Sequence, residues 1–496
     1  MGDLKNVGSH IRRDKHRVII RRTPGTRPVL LIRKASAQTV FRVETSVQSD
    51  VHSTVAACDT TTPAASDESR QRHESPRLRI LNVTQSYYPF LDRGGSAATV
   101  YALAQRLAVG HSVTVLTSDL GIKAAGLPDL TISQTEEGWR YDQGGVETLY
   151  LSPRGSYRSL TWNPAVFAFC TNRLQSFDLV HIYGTYDLLG PVVARACRQA
   201  GVPYILEPMG MYRPIIRNLA LKWLYRRILG ESVVRGAARV VATSTQEQRE
   251  LTEEGIAPER ITIRRNGIDS PRFSVVPGSF RREWNIPQDH LLVLFLGRVV
   301  AKKSPELLLQ AFARWRCLTG ASHPSVLVFA GPAENPAYIQ KLQGQTKRLG
   351  LGEAVLFTGP LYEDAKWSAL VDADIFVLPS QNENFGNAAA EAVACGTPVV
   401  VTDRCGVAPL IEGRAGLVIP HEREALVRAL NQLSDPGLRE RMKLGCVDVA
   451  RGLRWEQPVA EMEALYADLV AKFSAAQREP RHAALQTPKQ HKAGGL

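Results

Sequence analysis

The sequence predicts an α/β chain folded as two doubly wound, Rossmann-like domains, and three observations lead there. Short, near-continuous apolar runs alternate with helical patterns from Arg77 onward, as in parallel sheets covered on both faces. The alternation breaks near Asp269–Pro287, where Asp269-Ser-Pro-Arg-Phe and Val276-Pro-Gly interrupt it. The length, 496 residues, exceeds what one ordinary core organises and suits two or three domains.

In the first half the strand-like runs are Leu78–Val83, Ser112–Thr117, Val146–Leu151, Leu179–Tyr183, Pro203–Leu206, Arg239–Ala242 and Ile261–Arg264. In the second they are Leu291–Leu296, Ser325–Ala330, Ala354–Phe357, Ile375–Leu378, Val399–Thr402 and Leu417–Ile419. Helical spacing fills the intervals, for example Ala97–Leu107 and Glu306–Leu318. Gln457–Phe473 reads as one last amphipathic helix, with Pro458 tolerated in its first turn. Gly121–Arg140 is polar and without pattern, and is expected to be a loop near the substrate cleft.

The organisation expected is a disordered basic extension over 1–76, a first domain over 77–270 with the helix 457–473, a second domain over 271–456, and a disordered tail over 474–496. No run of 18 apolar residues is present, and the apolar pieces near the start are cut by Arg, unlike a signal peptide.

The net charge of +13 resembles a nucleic-acid signal until it is located. Residues 1–40 carry +8 and 472–496 carry +4, which leaves the body at +1. No nucleic-acid partner is expected from so neutral a body. The seven cysteines are scattered and form no C-x-x-C pair. They read as thiols in a reducing, cytoplasmic compartment rather than as a disulfide or zinc framework.

Ligands of open α/β sheets bind beyond the carboxyl ends of the strands, and three segments with suitable chemistry follow predicted strands. The first is Asn382-Glu383-Asn384-Phe385-Gly386-Asn387, running into a helix of small residues that holds Glu391 and ends at Gly396. The helix start offers the backbone N–H groups of Phe385, Gly386 and Asn387 to a diphosphate. Glu383 lies where it can reach sugar hydroxyls, and Glu391 where it can bind a ribose diol. Either glutamate alone would read as an ordinary helix charge; the loop and helix around them favour a site.

The second segment is Gly297-Arg298-Val-Val-Ala-Lys302-Lys303, directly after Leu291–Leu296. Two cations at a strand end suit the growing negative charge of a leaving diphosphate, Arg by two N–H groups and Lys as a point charge. The third is Gly94-Gly95-Ser96, where glycines before a helix allow close approach to a phosphate.

Two patterns are discounted. Asp372-Ala-Asp374 resembles a metal-binding pair but leads straight into Ile375–Leu378, so it closes a helix and opens a strand; no metal is expected. His181 ends a strand beside the cleft. A packed, hydrogen-bonded histidine is its default reading, with the acceptor side of a site as the alternative.

With these residues in place, residues 77–473 resemble glycosyltransferase family 4, of the GT-B fold, in which two such domains face a central cleft. The resemblance rests on Glu383 and Glu391 eight apart, Gly297-Arg298 with Lys303, Asn266-Gly267-Ile268-Asp269, and Gly94-Gly95. It implies a retaining hexosyltransferase using a nucleotide diphosphate sugar donor, with no cofactor and no essential metal. Arg298 and Lys303 would bind the diphosphate, Glu391 the ribose, Glu383 the transferred sugar, and the Phe385–Asn387 backbone the phosphates. Leu361 would meet the base through its backbone, and Gly95 would close over the phosphates. The first domain would hold the acceptor, a glycan or lipid-linked glycan of cell-surface polysaccharide synthesis.

One departure stands out. Many relatives have His before Gly in the loop after Pro203–Leu206, where this chain has Met209-Gly210. Methionine neither donates to a hydroxyl nor shuttles a proton, so the acceptor-side role of Met209 and Gly210 stays open. The alternatives are an epimerase or phosphorylase on the same fold, or a non-catalytic nucleotide-sugar-binding subunit. Arg213–Arg227 mixes basic and aromatic residues and is a candidate for peripheral contact with an anionic membrane.

Overall fold

A computed structural model describes residues 76–91, 95–122, 132–157, 160–213, 223–270, 274–320, 323–333 and 335–485, the last nine as backbone only. The predicted extension over 1–76 and Gly94 lie outside them, apart from Pro76.

The first sheet contains β1 (Arg79–Val83), β2 (Ser112–Ser118), β3 (Ser133–Gln134), β4 (Gly138–Gln143) and β5 (Val146–Leu151). A hairpin of β6 (Gly155–Tyr157) and β7 (Leu160–Trp162) stands apart, and β8 (Leu179–Tyr183), β9 (Tyr204–Glu207), β10 (Arg239–Ala242) and β11 (Ile261–Ile263) complete the sheet. Its order is β11-β10-β9-β8-β1-β2-β5-β4-β3. The second sheet holds β12 (Leu291–Leu296), β13 (Ser325–Ala330), β14 (Val355–Gly359), β15 (Ile375–Leu378), β16 (Val399–Thr402) and β17 (Gly416–Ile419), ordered β14-β13-β12-β15-β16-β17.

Every pairing in the second sheet is parallel, and so is the first from β11 to β5. Burial on both faces explains why these strands read as unbroken apolar runs: all of β13 and β15 is buried. The helix Gly95–Leu107 connects β1 to β2 and buries Ala97, Val100, Leu103, Ala104 and Leu107, one face at helical spacing.

The order reverses at β1, between β2 and β8, and at β12, between β13 and β15. Those are the switch points where a crevice opens beyond the strand ends. The Gly95 helix follows the first, the Gly297-Arg298 turn the second, and the Glu383 loop follows β15.

Two expectations need correction. Gly121–Arg140 is not simply a loop: Ser133–Gln134 and the start of Gly138–Gln143 are strands, pairing antiparallel on the sheet edge. An edge strand buries one face weakly and needs no apolar run, so its polar sequence concealed it; residues 123–131 lie outside the described part. The terminal helix spans Glu456–Leu485, past the expected end at Phe473. Ala475, Ala476, Gln477, Arg478 and Glu479 all favour helix.

This last helix belongs to the first sheet's core. Trp455, Met462, Tyr466 and Leu469 pack with Ile80, Val100, Leu103 and Ile205. To reach it the chain crosses between the sheets twice, near Gly267 and near Trp455, and the crossings touch. A Cβ on Gly267 would lie 2.2 Å from the Trp455 ring. The Ile268 N–H donates to the Leu453 carbonyl at 2.7 Å, and Arg106 lies over the Trp455 ring while pairing with Asp269.

Tyr466 also closes a buried polar network. Arg264 pairs with Glu207, both side chains 0% exposed. His181 Nδ1 meets the Tyr466 hydroxyl at 2.7 Å, and its Nε2 lies 3.5 Å from Glu207. Burial drives the His181 pKa down despite Glu207, so the ring is neutral and Tyr466 O–H donating to Nδ1 leaves Nε2–H facing the carboxylate. Burial also opposes the Glu207 charge, but Arg264 and His181 hold that carboxyl below its ordinary range.

Replacing Glu207 by Gln leaves Arg264 buried without its counter-charge and should cost about 3–5 kcal/mol. Tyr466→Phe removes one hydrogen bond and should cost about 1 kcal/mol. Urea denaturation of both variants measures the difference; equal midpoints would show that the ion pair is not the stronger restraint.

Candidate functional site

Beyond the carboxyl end of β12 the chain turns at Gly297, with φ 143°. Arg298 follows, exposed, then a short turn, Ala301–Lys303, ended by Ser304 in the left-handed conformation. Lys303 folds back over the glycine: a Cβ on Gly297 would stand 3.1 Å from its amine. That path brings Lys303 Nζ to 3.2 Å from Glu383 Oε2.

Glu383 is held firmly. Its N–H donates to the Arg404 carbonyl, and its own carbonyl accepts from Gly406 N–H. The Ser380 hydroxyl donates to Oε2 at 3.3 Å. The side chain keeps 22% of its surface exposed. Burial opposes its charge, yet Lys303, Lys302 and the Ser380 hydroxyl outweigh burial and hold the carboxyl below its ordinary range. Glu383 is therefore an ionised hydrogen-bond acceptor near neutral pH.

Phe385 is buried and serves through its backbone; Gly386, φ 97°, caps the helix Asn387–Ala394. A side chain at Gly386 would meet Cys405 Sγ at 2.6 Å. The leading N–H groups of a helix lack partners within it, and among the described residues no acceptor meets the Gly386 or Asn387 N–H. They leave an edge of N–H donors beside Glu383, the kind of edge that suits an anion. Glu391, one turn in, pairs with Lys366 at 3.0 Å, and Lys366 lies over the Trp367 ring. Leu361, between β14 and the helix Glu363–Asp372, is partly buried against the second core.

The first domain meets this edge at two places. Asn387 Nδ2 donates to Thr99 Oγ1 at 3.1 Å, while Asn387 Oδ1 accepts from Asn266 Nδ2 at 2.8 Å. Gly95 stands alongside, its would-be Cβ 3.4 Å from the same Nδ2. The second place is the corner Met209-Gly210, both at positive φ. A Cβ on Gly210 would lie 2.7 Å from Asn384 Cβ, and the Gly210 N–H donates to Glu247. Burial pushes the Glu247 carboxyl up to about 7, against the pull of the Thr243 and Gly210 N–H donors.

Glu383, Lys303, Gly95, Gly386, Asn387, Met209 and Gly210 thus gather about one interdomain edge. His181 does not join them. It is fully buried in the Glu207 network, as its packed reading expects, and the acceptor-side alternative is corrected: it lies in the middle of β8, covered by Tyr466 of the returning helix.

Several residues at this edge carry no signal of their own in the sequence. Thr99 and Lys366 are ordinary polar residues whose partners lie far away in the chain, while Ser380 bonds Glu383 only three residues on. The Ser244-x-x-Glu247 spacing is legible as a helix-capping pattern, but not its reach to Gly210. Asp372 and Asp374 do structural work: Asp372 accepts the N–H groups of Gly278 and Arg281, and Asp374 pairs with Arg281. In the basic segment Arg213, Arg226 and Arg227 pair with Glu253, Glu254 and Glu231; residues 214–222 lie outside the described part.

Known families match both halves of the chain. The family described as glycosyl transferases group 1 matches residues 278–444, and the glycosyl transferase 4-like domain matches 94–267. A D-inositol 3-phosphate glycosyltransferase of Thermomonospora curvata is 34% identical over 76% of this chain and 90% of its own length. One from Streptomyces bingchenggensis is 31% identical over 77% and 86%. Among solved structures, sucrose-phosphate synthase from Thermosynechococcus elongatus superposes with a TM-score of 0.61 at 21% identity, over 80% of this chain and 100% of that one. Anabaena HepE in complex with UDP gives 0.63 at 19% identity, with the same coverage.

Gly297→Ala tests how Lys303 is held. The added methyl meets the lysine amine at a φ that side chains rarely adopt, so a loss of about 1–3 kcal/mol in stability is expected, read from the denaturation midpoint. An unchanged midpoint would show that Lys303 moves aside freely.

Proposed function

The chain belongs to glycosyltransferase family 4, with the GT-B fold, and on that premise we propose that it moves a sugar from a nucleotide diphosphate sugar to a glycan or lipid-linked glycan hydroxyl with retention of configuration. One observation carries the proposal: ionised Glu383, paired with Lys303, stands beside the N–H edge of the Asn387 helix at the ends of β12 and β15.

In this reading the bond from the anomeric carbon to the phosphate oxygen breaks, and the diphosphate gains charge. Arg298, Lys303 and the N–H groups of Gly386 and Asn387 meet that charge, where fixed donors stabilise a transition state most. Glu383, an acceptor only, hydrogen-bonds hydroxyls of the transferred sugar and restrains it over the cleavage point. Glu391 takes the ribose diol. The acceptor hydroxyl bonds to the anomeric carbon on the face the phosphate leaves, and its proton passes to the departing phosphate oxygen. No metal is required, because arginine, lysine and backbone dipoles supply the positive charge.

The acceptor side is the Met209-Gly210 corner. Relatives named for inositol 3-phosphate make a polyol phosphate the first soluble acceptor to try. A lipid-linked glycan acceptor, met on the inner face of a membrane during polysaccharide synthesis, is supported by exposed Trp223, Leu224 and Ile228 (56%, 46% and 63%). Among the described residues no helix is long and apolar enough to cross a membrane. Liposome co-sedimentation of a chain lacking residues 1–76 tests this contact: binding to anionic vesicles supports it, and indifference at low salt makes a soluble acceptor the reading.

A screen of nucleotide sugars read by nucleotide diphosphate release identifies the donor; conversion of donor without acceptor would instead indicate an epimerase. With that donor, Arg298→Ala and Lys303→Ala should each lower turnover about 10²-fold, and near-normal transfer by both would remove them from the site. Glu383→Gln should lower kcat while Glu391→Ala weakens donor affinity; the reverse pattern would exchange their roles. EDTA should leave turnover unchanged, and activity restored by magnesium after EDTA would overturn the metal-free reading.

Lys303→Met removes the strongest support for the Glu383 charge. Wild-type Glu383 stays ionised until pH falls below the ordinary carboxylate range, so the variant's acid limb of turnover should move to higher pH. An unmoved limb would show that Lys303 does not govern that charge.

A further inference from the structure

The segment that carries Glu383 is held from the first domain as well as from its own. Asn384 Nδ2 donates to Thr243 Oγ1 at 2.7 Å, and the Ser244 hydroxyl donates to the Asn384 carbonyl at 2.9 Å. Two residues earlier, Asn382 Nδ2 donates to Glu250 at 3.0 Å. Thr243 and Ser244 lie at the end of β10, and Glu250 on the helix Thr245–Glu253 that follows. The fit is close: a Cβ on Gly406 would lie 2.0 Å from the Asn384 carbonyl oxygen and 2.7 Å from Ser244 Cβ.

Behind this contact sits Glu247. Its Oε2 accepts from both Thr243 N–H (2.8 Å) and Thr243 Oγ1–H (3.0 Å), while Oε1 accepts from Gly210 N–H. Ser244 Oγ accepts from Glu247 N–H at 3.1 Å, so Ser244 and Glu247 also form a capping pair. A cap alone would need neither Gly210 nor Asn384. Here one carboxylate fixes the Met209-Gly210 corner with one oxygen and, with the other, orients a hydroxyl whose lone pair takes Asn384. Thr243 and Glu247 are nearly or wholly buried, so the chain is shielded from competing water.

We propose that Thr243 and Glu247 are positioning residues that couple the acceptor-side corner Met209-Gly210 to the donor-side segment Asn382–Asn384. Glu383 is set for transfer only while the first domain holds its neighbours on both sides. The inference rests on the transferase reading of this site, and the link makes the second domain's glutamate answer to the first domain's acceptor loop.

Thr243→Val keeps the branched shape and removes the hydroxyl; Thr243→Ser keeps the hydroxyl. The probe is the nucleotide sugar that the wild-type chain consumes fastest, with hydrogen exchange followed in parallel on the unliganded full chain. Thr243→Val should lower kcat about 10-fold, since small misplacement of reacting groups costs rate steeply, with donor KM within about twofold. Amide exchange should quicken in both 205–212 and 380–387, and Thr243→Ser should restore rate and exchange. Asn384→Ala breaks the same bond from the other domain and stands in should Thr243→Val fail to fold. Wild-type kcat in both disrupting variants, or faster exchange in 205–212 alone, would overturn the coupling. A wild-type chain that consumes no nucleotide sugar, with both segments still loosened together, would instead sink the transferase reading and leave the coupling standing.

Discussion

Gly267 has no side chain, and the Trp455 indole occupies the space one would fill. The chain passes from the first sheet to the second near Gly267 and returns near Trp455, so this contact, with the Ile268–Leu453 hydrogen bond, binds the two crossings into one joint. The returning helix can then lay Met462, Tyr466 and Leu469 into the first core. Tyr466 in turn completes the network of His181, Glu207 and Arg264. Its hydroxyl meets His181 Nδ1, while Arg264 Nε and Glu207 Oε2 keep no hydrogen bond among the described residues. The first domain therefore depends on a segment that follows the whole second domain in sequence.

With the joint in place, the site needs little further machinery. Its charges rest on rigid backbone: Lys303 on the turn after β12, Glu383 on a segment held by Arg404 and Gly406, and the N–H edge on a helix start. Lys303 sustains the Glu383 charge from 3.2 Å away. Fixed groups of this kind need no reorganisation when charge develops beside them.

Two asparagines carry most of the described polar contact between the domains at this edge. Asn384 reaches Thr243, and Asn387 reaches Thr99 and Asn266. An amide donates and accepts at once, so it can bridge the two domains without burying a net charge. Met209 fits the same picture, since its place beside Gly210 is set by a left-handed turn against Asn384 rather than by side-chain chemistry.

How much was legible in the sequence follows from the range of each interaction. The parallel strands announced themselves because burial on both faces demands continuous apolar residues, and the candidate site residues because they follow strand ends at short spacing. Glu383, Lys303 and the Gly386-Asn387 helix start could be read in that way. The strands Ser133–Gln134 and Gly138–Gln143 at the sheet margin could not, because their half-exposed faces impose no apolar run. Nor could the partner of His181, which reads only as a packed histidine, since Tyr466 lies 285 residues away. Glu247 shows the division within one side chain: its bond to Thr243 belongs to a local capping pattern, while its bond to Gly210 exists only because β9 and β10 lie side by side. Local periodicity and strand-end chemistry were determined by the sequence alone, and the partners of each buried polar group were decided by the tertiary structure, because a hydrogen bond is satisfied by proximity in space rather than along the chain.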